Sequence, residues 1–412
     1  MSTTPTPNAD APLCLLAFSG GLDTSFCVLY LRERGYRVAT VTVDTGGFDA
    51  AETARIAAMS ARLGAESHQR IDARAALWQD YLRYLLYGNV LRGQLYPLSV
   101  SAERVCQARM VAEAAVAMGA RAICHGSTGA GNDQVRFDVA FRALAPGVEI
   151  ITPIREHGYS REHELAVLAA EGITMPAKTS KYSINAGMWG TSVGGAETHD
   201  SWQHLPESAW PAGPVDANRA PTTLVIGFER GVPVSLDGEA LDPVTLIAKL
   251  NELTGRYAIG RAIHLGDTIL GIKGRVGFEA GAATLLIQTH RELEKLVLSG
   301  KQLALKEALG AQYGALLHEG HYFDPLARDL EAFLSSTQAR VTGEVRVTLY
   351  PRAAVVEGVR APASLMESRV ASYGEGAKAW SGIEAQGYCK IFGIAQQLAL
   401  EAGRRVATQG EG

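Results

Sequence analysis

The sequence predicts an α/β fold, in which a doubly wound parallel-sheet domain is followed by a mixed α+β domain and a C-terminal helical arm. In the first third of the chain, short apolar runs alternate with helical patterns, which is typical of a parallel sheet with helices on both faces. A Gly-rich turn follows the first apolar run. After about residue 175 the alternation stops, so a second domain is expected there.

The elements of the first domain follow from local patterns. Fully apolar or β-branched runs of about six residues are typical of strands buried on both faces. The first helical pattern stops at Gly35, a residue that commonly ends helices. The predicted strands lie at 13–18, 38–43, 122–125 and 148–151, and the first two predicted helices at 26–34 and 50–63.

The second half predicts strands and helices in a less regular order. A Gly/Ser/Thr/Trp-rich stretch from Thr179 to Pro214 is expected to form an ordered loop or linker. Asp237-Gly238 predicts a turn, and Asp242 predicts a helix N-cap. The predicted strands lie at 223–228, 232–236, 341–349 and 353–359, and the predicted helices at 243–253, 284–299, 301–317 and 325–335.

Length and charge limit the possible functions. The chain has 412 residues, enough for two or three domains of roughly 150 residues. Lys and Arg total 39 against 43 Asp and Glu, a net charge of −4, so a nucleic-acid backbone is not the expected partner. We expect a flexible tail at 1–12, a nucleotide-binding domain at 13–175, a synthetase domain at 176–380 and an arm at 381–412.

The lack of a recognisable targeting signal and the pattern of cysteines predict a cytoplasmic location. No run of about 18 apolar residues predicts a membrane span, and the polar N-terminal residues do not resemble a signal peptide. The five cysteines are scattered without a CxxC pair. We therefore expect reduced cysteines that pack as small apolar residues, and no resident metal site.

The segment SGGLDTS, Ser19 to Ser25, predicts a phosphate-binding turn. It joins an apolar strand to a helix, so backbone N–H groups, glycines and hydroxyls converge where an anion is favoured. No Lys follows the glycines, which excludes a Walker-type loop. The alternative is an ordinary turn. The heptapeptide resembles the pyrophosphate loop of the N-type ATP pyrophosphatases, which cleave ATP between the α and β phosphates.

A second motif, HGSTGAGNDQVRFD from His125 to Asp138, follows another predicted strand. Asn132, Asp133 and Arg136 lie three or four residues apart and share one helix face. This group suits a zwitterionic amino acid, with a carboxylate for the ammonium and a guanidinium for the carboxylate. The alternative is a capped helix that carries a structural salt bridge.

Together the two motifs resemble the argininosuccinate synthase family. The resemblance also includes YPL with Ser101 and Arg104, the segment YSIN at 182–185, GIKGR at 271–275 and GYCKIFG at 387–393, and covers roughly residues 13 to 395. It implies that ATP activates the ureido oxygen of citrulline as an adenylate, which the amine of aspartate then displaces. It also implies a homotetramer, in which C-terminal helices such as the apolar segment 391–400 reach across subunits.

The resemblance implies which residues contact each substrate. ATP contacts are expected at Ala17, Phe18, Ser19, Gly20, Gly21, Leu22, Asp23, Thr24, Ser25, Val43 and Gly126. Citrulline contacts are expected at Tyr96, Ser101, Asn132, Arg136, Ser183 and Ser192, and aspartate contacts at Thr128, Asn132 and Asp133. Asp23, Asp133 and Arg136 are the expected catalytic residues, and Asp23 would hold the Mg²⁺ of ATP directly or through water.

Five positions depart from the family pattern. They are Ala130, Val105, Gly194, Gly266 and Phe278, where the family usually has Lys, Pro, Glu, Glu and Tyr. At 266 a carboxylate for the citrulline ammonium is missing, and at 278 a hydroxyl is missing. We interpret these changes as a lineage variant and hypothesise that Asp267 supplies the missing carboxylate.

Three alternatives stay open. The same adenylation chemistry could act on a different ureido, amide or carboxyl substrate, since the departures lie on the citrulline side. A non-catalytic nucleotide-binding paralogue would bind ATP without releasing AMP. An RNA-modifying relative would need a basic face and often a CxxC pair, neither of which the sequence has. His125 is a candidate base by its place in the chain, although a structural histidine is the simpler interpretation.

Overall fold

The computed structural model describes residue 8 and residues 10–175, 181–366, 369–371, 373–374 and 376–409. It divides into two compact units, Met1–Ala363 and Ser364–Gly412. The predicted domain boundary near residue 175 lies inside the first unit, and the four-part division stays a prediction.

The N-terminal half of the first unit alternates strands and helices. Its elements are β1 (Leu13–Ala17), α1 (Leu22–Glu33), β2 (Arg37–Asp44), α2 (Ala50–Arg62), β3 (Ser67–Asp72), α3 (Arg74–Leu77), α4 (Arg83–Tyr87), α5 (Ser99–Ala117), β4 (Ala122–Cys124), α6 (Asp133–Leu144), β5 (Glu149–Ile151), α7 (Pro153–His157) and α8 (Arg161–Ala170). A single π-helical turn, Trp78–Leu82, joins α3 to α4.

These strands form a five-stranded parallel sheet in the order β3-β2-β1-β4-β5. Successive side chains of β1 point to opposite faces, as the pleat requires. Cys14 and Leu16 pack in one apolar cluster with residues of α1 and α8, whereas Leu15 packs in another with residues of α5 and α6. Helices therefore cover both faces, and the predicted doubly wound sheet is confirmed.

The remainder of the first unit is mixed α+β, as predicted. Its elements are β6 (Ser183–Asn185), β7 (Thr191–Gly194), β8 (Thr222–Glu229), β9 (Val232–Leu236), β10 (Glu239–Ala240), α9 (Pro243–Arg256), β11 (Arg261–Asp267), β12 (Lys273–Glu279), α10 (Gly281–Val297), α11 (Gly300–Glu319), α12 (Pro325–Thr337), β13 (Gly343–Tyr350) and β14 (Ala353–Arg360). They form two antiparallel sheets, β10-β9-β8-β13-β14 and β11-β12-β7-β6.

Two local predictions differ from the structure. The loop predicted from Thr179 to Pro214 contains β6 and β7 within its described part, residues 181–214, because these short segments pair with each other and with β12. This pairing comes from a strand about 80 residues away, so local composition does not reveal it. The first helix begins at Leu22, four residues before the predicted start, because the phosphate-loop motif itself forms the first helical turn.

The C-terminal unit consists mainly of two helices, α13 (Gly382–Phe392) and α14 (Ile394–Gln409). Ser381 and Glu384 form a reciprocal capping box at the start of α13. Gly393 separates the two helices, so the apolar segment predicted at 391–400 spans their junction. No helix within the described ranges is long and apolar enough to cross a membrane.

A buried ion pair connects α10 to α11. The Lys306 Nζ lies 2.9 Å from the Glu294 Oε2, and both side chains are almost fully buried. Glu294 also accepts hydrogen bonds from Asn89 and Gln338, and Lys306 donates to the carbonyl of Tyr87. Burial lowers the pKa of Lys306, and the carboxylate opposes that shift. Each of the two buried charges therefore has a counter-charge and further hydrogen bonds, as buried charges require.

Lys306→Met should destabilise the fold by about 3–5 kcal/mol, because it leaves the Glu294 carboxylate buried without a counter-charge. Lys306→Met/Glu294→Gln should recover most of that loss. Urea unfolding followed by far-UV circular dichroism measures both. Lys301→Met, at the exposed start of α11, is the control and should change stability by less than about 0.5 kcal/mol. Equal losses in the single and double variants would contradict this account.

Candidate active site

A cavity of about 1120 Å³ opens at the carboxyl ends of β1, β2 and β4. Ala17 ends β1, Val43 lies near the end of β2, and His125 follows β4 directly. The strand order places β1 between β2 and β4, so the chain runs from β1 to β2 and β3 on one side and then crosses to β4 on the other. Such a switch point forms a crevice that binds ligands in open α/β sheets.

Five residues of the segment Ser19–Ser25 line this cavity: Ser19, Gly21, Leu22, Asp23 and Thr24. Gly20 has a φ of +67°, and a Cβ there would lie 3.1 Å from the Cγ1 of Ile56, so the turn requires glycine. The N-cap residue of α1 is Gly21, and within the described part of the chain no side chain caps the N–H groups of the first turn. The N–H groups of its first turn, together with the helix dipole, therefore favour an anion in front of them.

Two carboxyl groups meet beside this turn. Asp23 lies in the first turn of α1 and lines the cavity, and Glu164 of α8 is its neighbour. Glu164 is buried, and its Oε2 has no hydrogen-bonding partner in the described part of the chain. Burial and the negative charge of Asp23 raise the pKa of Glu164 to about 7. One or two carboxylates with phosphate oxygens form the donor set that Mg²⁺ prefers, so Asp23, which lines the cavity, fits a nucleotide-bound magnesium ion, and Glu164 is buried beside it.

The loop after β4 is held by a histidine whose two ring nitrogens are both engaged. The backbone N–H of Ser127 donates to the Nδ1 of His125 over 3.2 Å, and the Nε2 lies 2.9 Å from Asp138. Asp138 also accepts from Arg155. The imidazole is 1% exposed. These contacts assign His125 a structural role in shaping the loop and leave neither ring nitrogen available to act as a base.

Asp133, the first residue of α6, lies between two arginines. The Nε of Arg104 donates to its Oδ2 over 3.0 Å, and the Nη1 of Arg136 donates to its Oδ1 over 2.9 Å. Burial favours a higher pKa for Asp133, but the two guanidinium groups outweigh it and hold the pKa below its usual value. Arg104 also donates to Asn185 of β6, so the cluster links the parallel sheet to the second half of the unit.

Arg136 is 3% exposed, and the protein itself uses most of its donors. Its Nε donates to the carbonyl oxygen of His318, and its Nη2 lies 3.1 Å from the Ser101 Oγ and 3.2 Å from the His318 Nδ1. With the bond to Asp133, four of its five N–H groups are engaged. The bidentate carboxylate pair expected from the sequence would therefore require Arg136 to release protein partners.

The hairpin between β11 and β12 lies against the second motif. The backbone N–H of Ile269 donates to the Asn132 Oδ1 over 2.9 Å. Asp267 forms a 2.5 Å ion pair with Lys273, and its carbonyl accepts from Arg92. Asp267 lines the cavity, and its role as a replacement carboxylate stays a hypothesis because its charge is already paired.

Aromatic rings form the far wall of the cavity. Tyr96 stacks on His264 with ring centroids 5.6 Å apart and contacts Phe278 at 5.1 Å. A Cβ on Gly266 would lie only 2.6 Å from the Nε2 of His264. The imidazole therefore occupies the space that a side chain at 266 would need, which gives a physical reason for glycine at this departure from the family pattern.

All but two of the sequence-predicted site residues line this cavity. Gly20 forms the turn behind it, and Ser25 is fully buried in α1 with an Oγ that lacks a described partner. The structure brings together the remaining residues, and their individual roles stay predictions. These residues are Ala17, Phe18, Ser19, Gly21, Leu22, Asp23, Thr24, Val43, Tyr96, Ser101, Gly126, Thr128, Asn132, Asp133, Arg136, Ser183 and Ser192.

Sequence reasoning assigned no role to several residues that shape the site. Arg104 belongs to a motif that carries the family resemblance, but the motif implies no substrate contact for it. Glu164, His264 and His318 carry no local signal, because each reaches the site from an element far along the chain. A search for polar residues on the buried stripe of α11 would have identified His318.

Comparison with known proteins places the chain in one family over nearly its full length. Residues 13–174 match the model described as "Arginosuccinate synthase N-terminal HUP domain" and residues 182–399 the "Arginosuccinate synthase C-terminal domain". The chain is 41% identical over 406 residues to an argininosuccinate synthase of Xanthomonas axonopodis pv. citri, covering 95% of each chain. It is 38% identical over 389 residues to one from Methanocaldococcus jannaschii, covering 94% of this chain and 97% of the relative.

Both halves of the fold, the order of the motifs and the composition of the cavity agree with these matches. A relative from Thermosynechococcus vestitus, also named argininosuccinate synthase, is 40% identical over 392 residues, covering 94% of this chain and 97% of that one. The chain belongs to the argininosuccinate synthase family.

Proposed function

We propose that this protein is an ATP-dependent carbon–nitrogen ligase that joins L-citrulline and L-aspartate to form argininosuccinate, AMP and pyrophosphate in arginine biosynthesis. One observation carries the proposal: the anion-binding turn Ser19–Ser25 and the Asp133–Arg136 cluster line a single cavity. A site for a triphosphate and a site for zwitterionic amino acids thus lie together. Family membership supports the same reaction.

The reaction needs two displacements and no covalent bond to the protein. The ureido oxygen of citrulline attacks the α-phosphorus of ATP, the bond to the bridging oxygen breaks, and pyrophosphate leaves. The aspartate amine then loses a proton and attacks the ureido carbon. AMP departs with the former ureido oxygen. Catalysis rests on positioning the reactants and neutralising phosphate charge.

The residues divide between the two ends of the cavity. The segment Ser19–Ser25 would hold the β and γ phosphates that leave as pyrophosphate, and Val43 and Gly126 would contact the rest of the nucleotide. Thr128, Asn132 and Asp133 would bind aspartate. The two arginines beside the buried Asp133 keep it ionised, so it carries the negative charge that an ammonium group requires, and an ammonium would share its oxygens with Arg104 and Arg136.

The citrulline end is formed by hydroxyls and aromatic rings. Tyr96, Ser101, Ser183 and Ser192 line it and can orient a neutral ureido group through donors and acceptors. Arg136 contributes positive charge there.

Magnesium would be held by Asp23, with Glu164 beside it, at the phosphate end. The ion would neutralise charge on the departing pyrophosphate. The position of Asp23, in the first turn of α1 and on the cavity wall, supports this assignment.

We also propose that the protein works in the cytoplasm as a homotetramer. The C-terminal unit exposes large apolar side chains, which favour burial against another subunit: Ile383, Tyr388, Ile391, Phe392 and Leu398. Sedimentation velocity on the full chain tests this assembly, and a monomer at micromolar concentration would contradict it.

Continuous release of AMP and pyrophosphate from Mg-ATP should require citrulline and aspartate together, because the adenylate formed from ATP and citrulline occupies the site until aspartate displaces AMP. Citrulline alone should release at most one pyrophosphate per active site and no AMP. Coupled assays with both amino acids present, and with each omitted in turn, measure this.

Asp23→Asn should lower kcat by roughly 100-fold or more while the fold is retained, since it removes charge at the phosphate turn.

Exposed Asp10→Asn is the matched control for that change and should leave the rate unchanged. Release with a ureido or amide analogue, and none with citrulline, would replace the proposed substrate. ATP binding without any release would favour a non-catalytic paralogue.

Gly266→Glu should raise the KM for citrulline by roughly tenfold or more, because its Cβ overlaps the imidazole of His264. Gly266→Glu/His264→Ala should recover much of this loss, since the second change vacates that space. Gly300→Glu, at the exposed start of α11 where an added Cβ meets nothing within 4 Å, controls for the added charge. Steady-state kinetics with varied citrulline measure the set. No recovery in the double variant would show that His264 does not fill the space beside residue 266.

A further inference from the structure

His318 of α11 is a cavity-lining residue without an assigned role. Only 6% of its surface is exposed, and it lines the cavity. Its Nδ1 lies 3.2 Å from both the Arg136 Nη2 and the Ser101 Oγ. Its Nε2 has no hydrogen-bonding partner among the described residues. An unpaired buried polar atom costs free energy, so its presence in a binding cavity indicates a ligand.

The neighbours of His318 define which nitrogen carries the proton. A guanidinium group can only donate, so the Nδ1 facing Arg136 is the acceptor, and the neutral ring carries its hydrogen on Nε2. Burial, together with the charge of Arg136, lowers the pKa of His318 to about 3. The imidazole is therefore neutral at physiological pH, and Nε2–H is a donor that the protein leaves unused.

The surroundings determine which acceptor this donor suits. Arg136 lies directly behind the ring, and its positive charge attracts an anionic oxygen more strongly than a neutral ureido oxygen. Arg136 itself has one N–H group left for a substrate, because four are bound by the protein. The neutral imidazole can therefore extend the reach of the guanidinium towards a carboxylate. Ser101, which the proposed function assigns to citrulline, is in direct contact with the same ring.

We propose that the Nε2–H of His318 donates a hydrogen bond to the carboxylate of citrulline, which makes His318 a substrate-binding residue that selects for the α-amino acid end of this substrate. The proposal rests on the proposed function, since it takes citrulline as the ligand. It divides the recognition of citrulline between a charged group, Arg136, and a neutral donor polarised by it.

The test compares His318→Phe, which keeps an aromatic ring without a donor, with His318→Gln, which restores an N–H near the position of Nε2. His318→Phe should raise the KM for citrulline about 10- to 100-fold, the usual effect of losing a hydrogen bond to a charged group. The KM values for ATP and aspartate should stay within about twofold. His318→Gln should recover part of the loss. His321→Phe, an exposed histidine three residues along the chain, is the matched control and should match the wild type.

An analogue without the carboxylate, N-(4-aminobutyl)urea, separates this role from a structural one. The wild type should strongly prefer citrulline over the analogue, and His318→Phe should lose about 10- to 100-fold of that preference. An unchanged preference, or an unchanged KM for citrulline in His318→Phe, would overturn the proposal. Thermal unfolding monitors the fold of each variant, and if His318→Phe does not fold, the preference measured in His318→Ala decides by the same criterion.

Binding and turnover distinguish this inference from the proposed function. Calorimetric titration of citrulline in the presence of an ATP analogue with a non-cleavable α–β bond measures affinity without reaction. Weaker binding in His318→Phe supports the inference, and equal binding or no binding by the wild type contradicts it. Turnover by the wild type with citrulline and aspartate tests the proposed function separately.

Discussion

The pairing of Asp133 with two arginines is the interaction on which the rest of the site depends. Arg104 comes from α5 and Arg136 from α6, so one carboxylate joins two helices on the same face of the parallel sheet. Through Asn185 the cluster reaches β6, and through His318 it reaches α11. The cavity consequently has walls from both halves of the unit, and the charge at its centre is fixed before any substrate binds.

This arrangement gives the cavity two chemically different ends. The phosphate end has helix N–H groups and two carboxyl groups, Asp23 and Glu164, which suit a nucleotide with its cation. The amino-acid end has two arginines that share the single carboxylate of Asp133, which leaves one net positive charge, and polar groups held by the protein. Because protein contacts hold these charged groups in place, the site presents fixed charges and hydrogen-bonding groups to the charge that develops during the reaction.

The sequence predicted the parallel sheet and both motif loops, because apolar runs and glycine spacing are local signals. Twelve of the seventeen predicted residues that line the cavity do so for the same reason: they lie in two short segments at the carboxyl ends of neighbouring strands. The other five, Val43, Tyr96, Ser101, Ser183 and Ser192, were expected only from the family resemblance. The strands β6 and β7 were not predicted, since their partner β12 is distant in the chain. His318 was not predicted either, because its meaning depends on Arg136, a residue 182 positions earlier.

In the proposed reaction, the ureido oxygen of citrulline attacks ATP and then leaves with AMP. Incubation with citrulline labelled with ¹⁸O at the ureido oxygen, aspartate and Mg-ATP, followed by mass spectrometry of the AMP, tests this most directly. The account predicts one ¹⁸O atom in each AMP and none in pyrophosphate. Unlabelled AMP formed together with argininosuccinate would contradict it, because ATP would then have been cleaved without activating that oxygen.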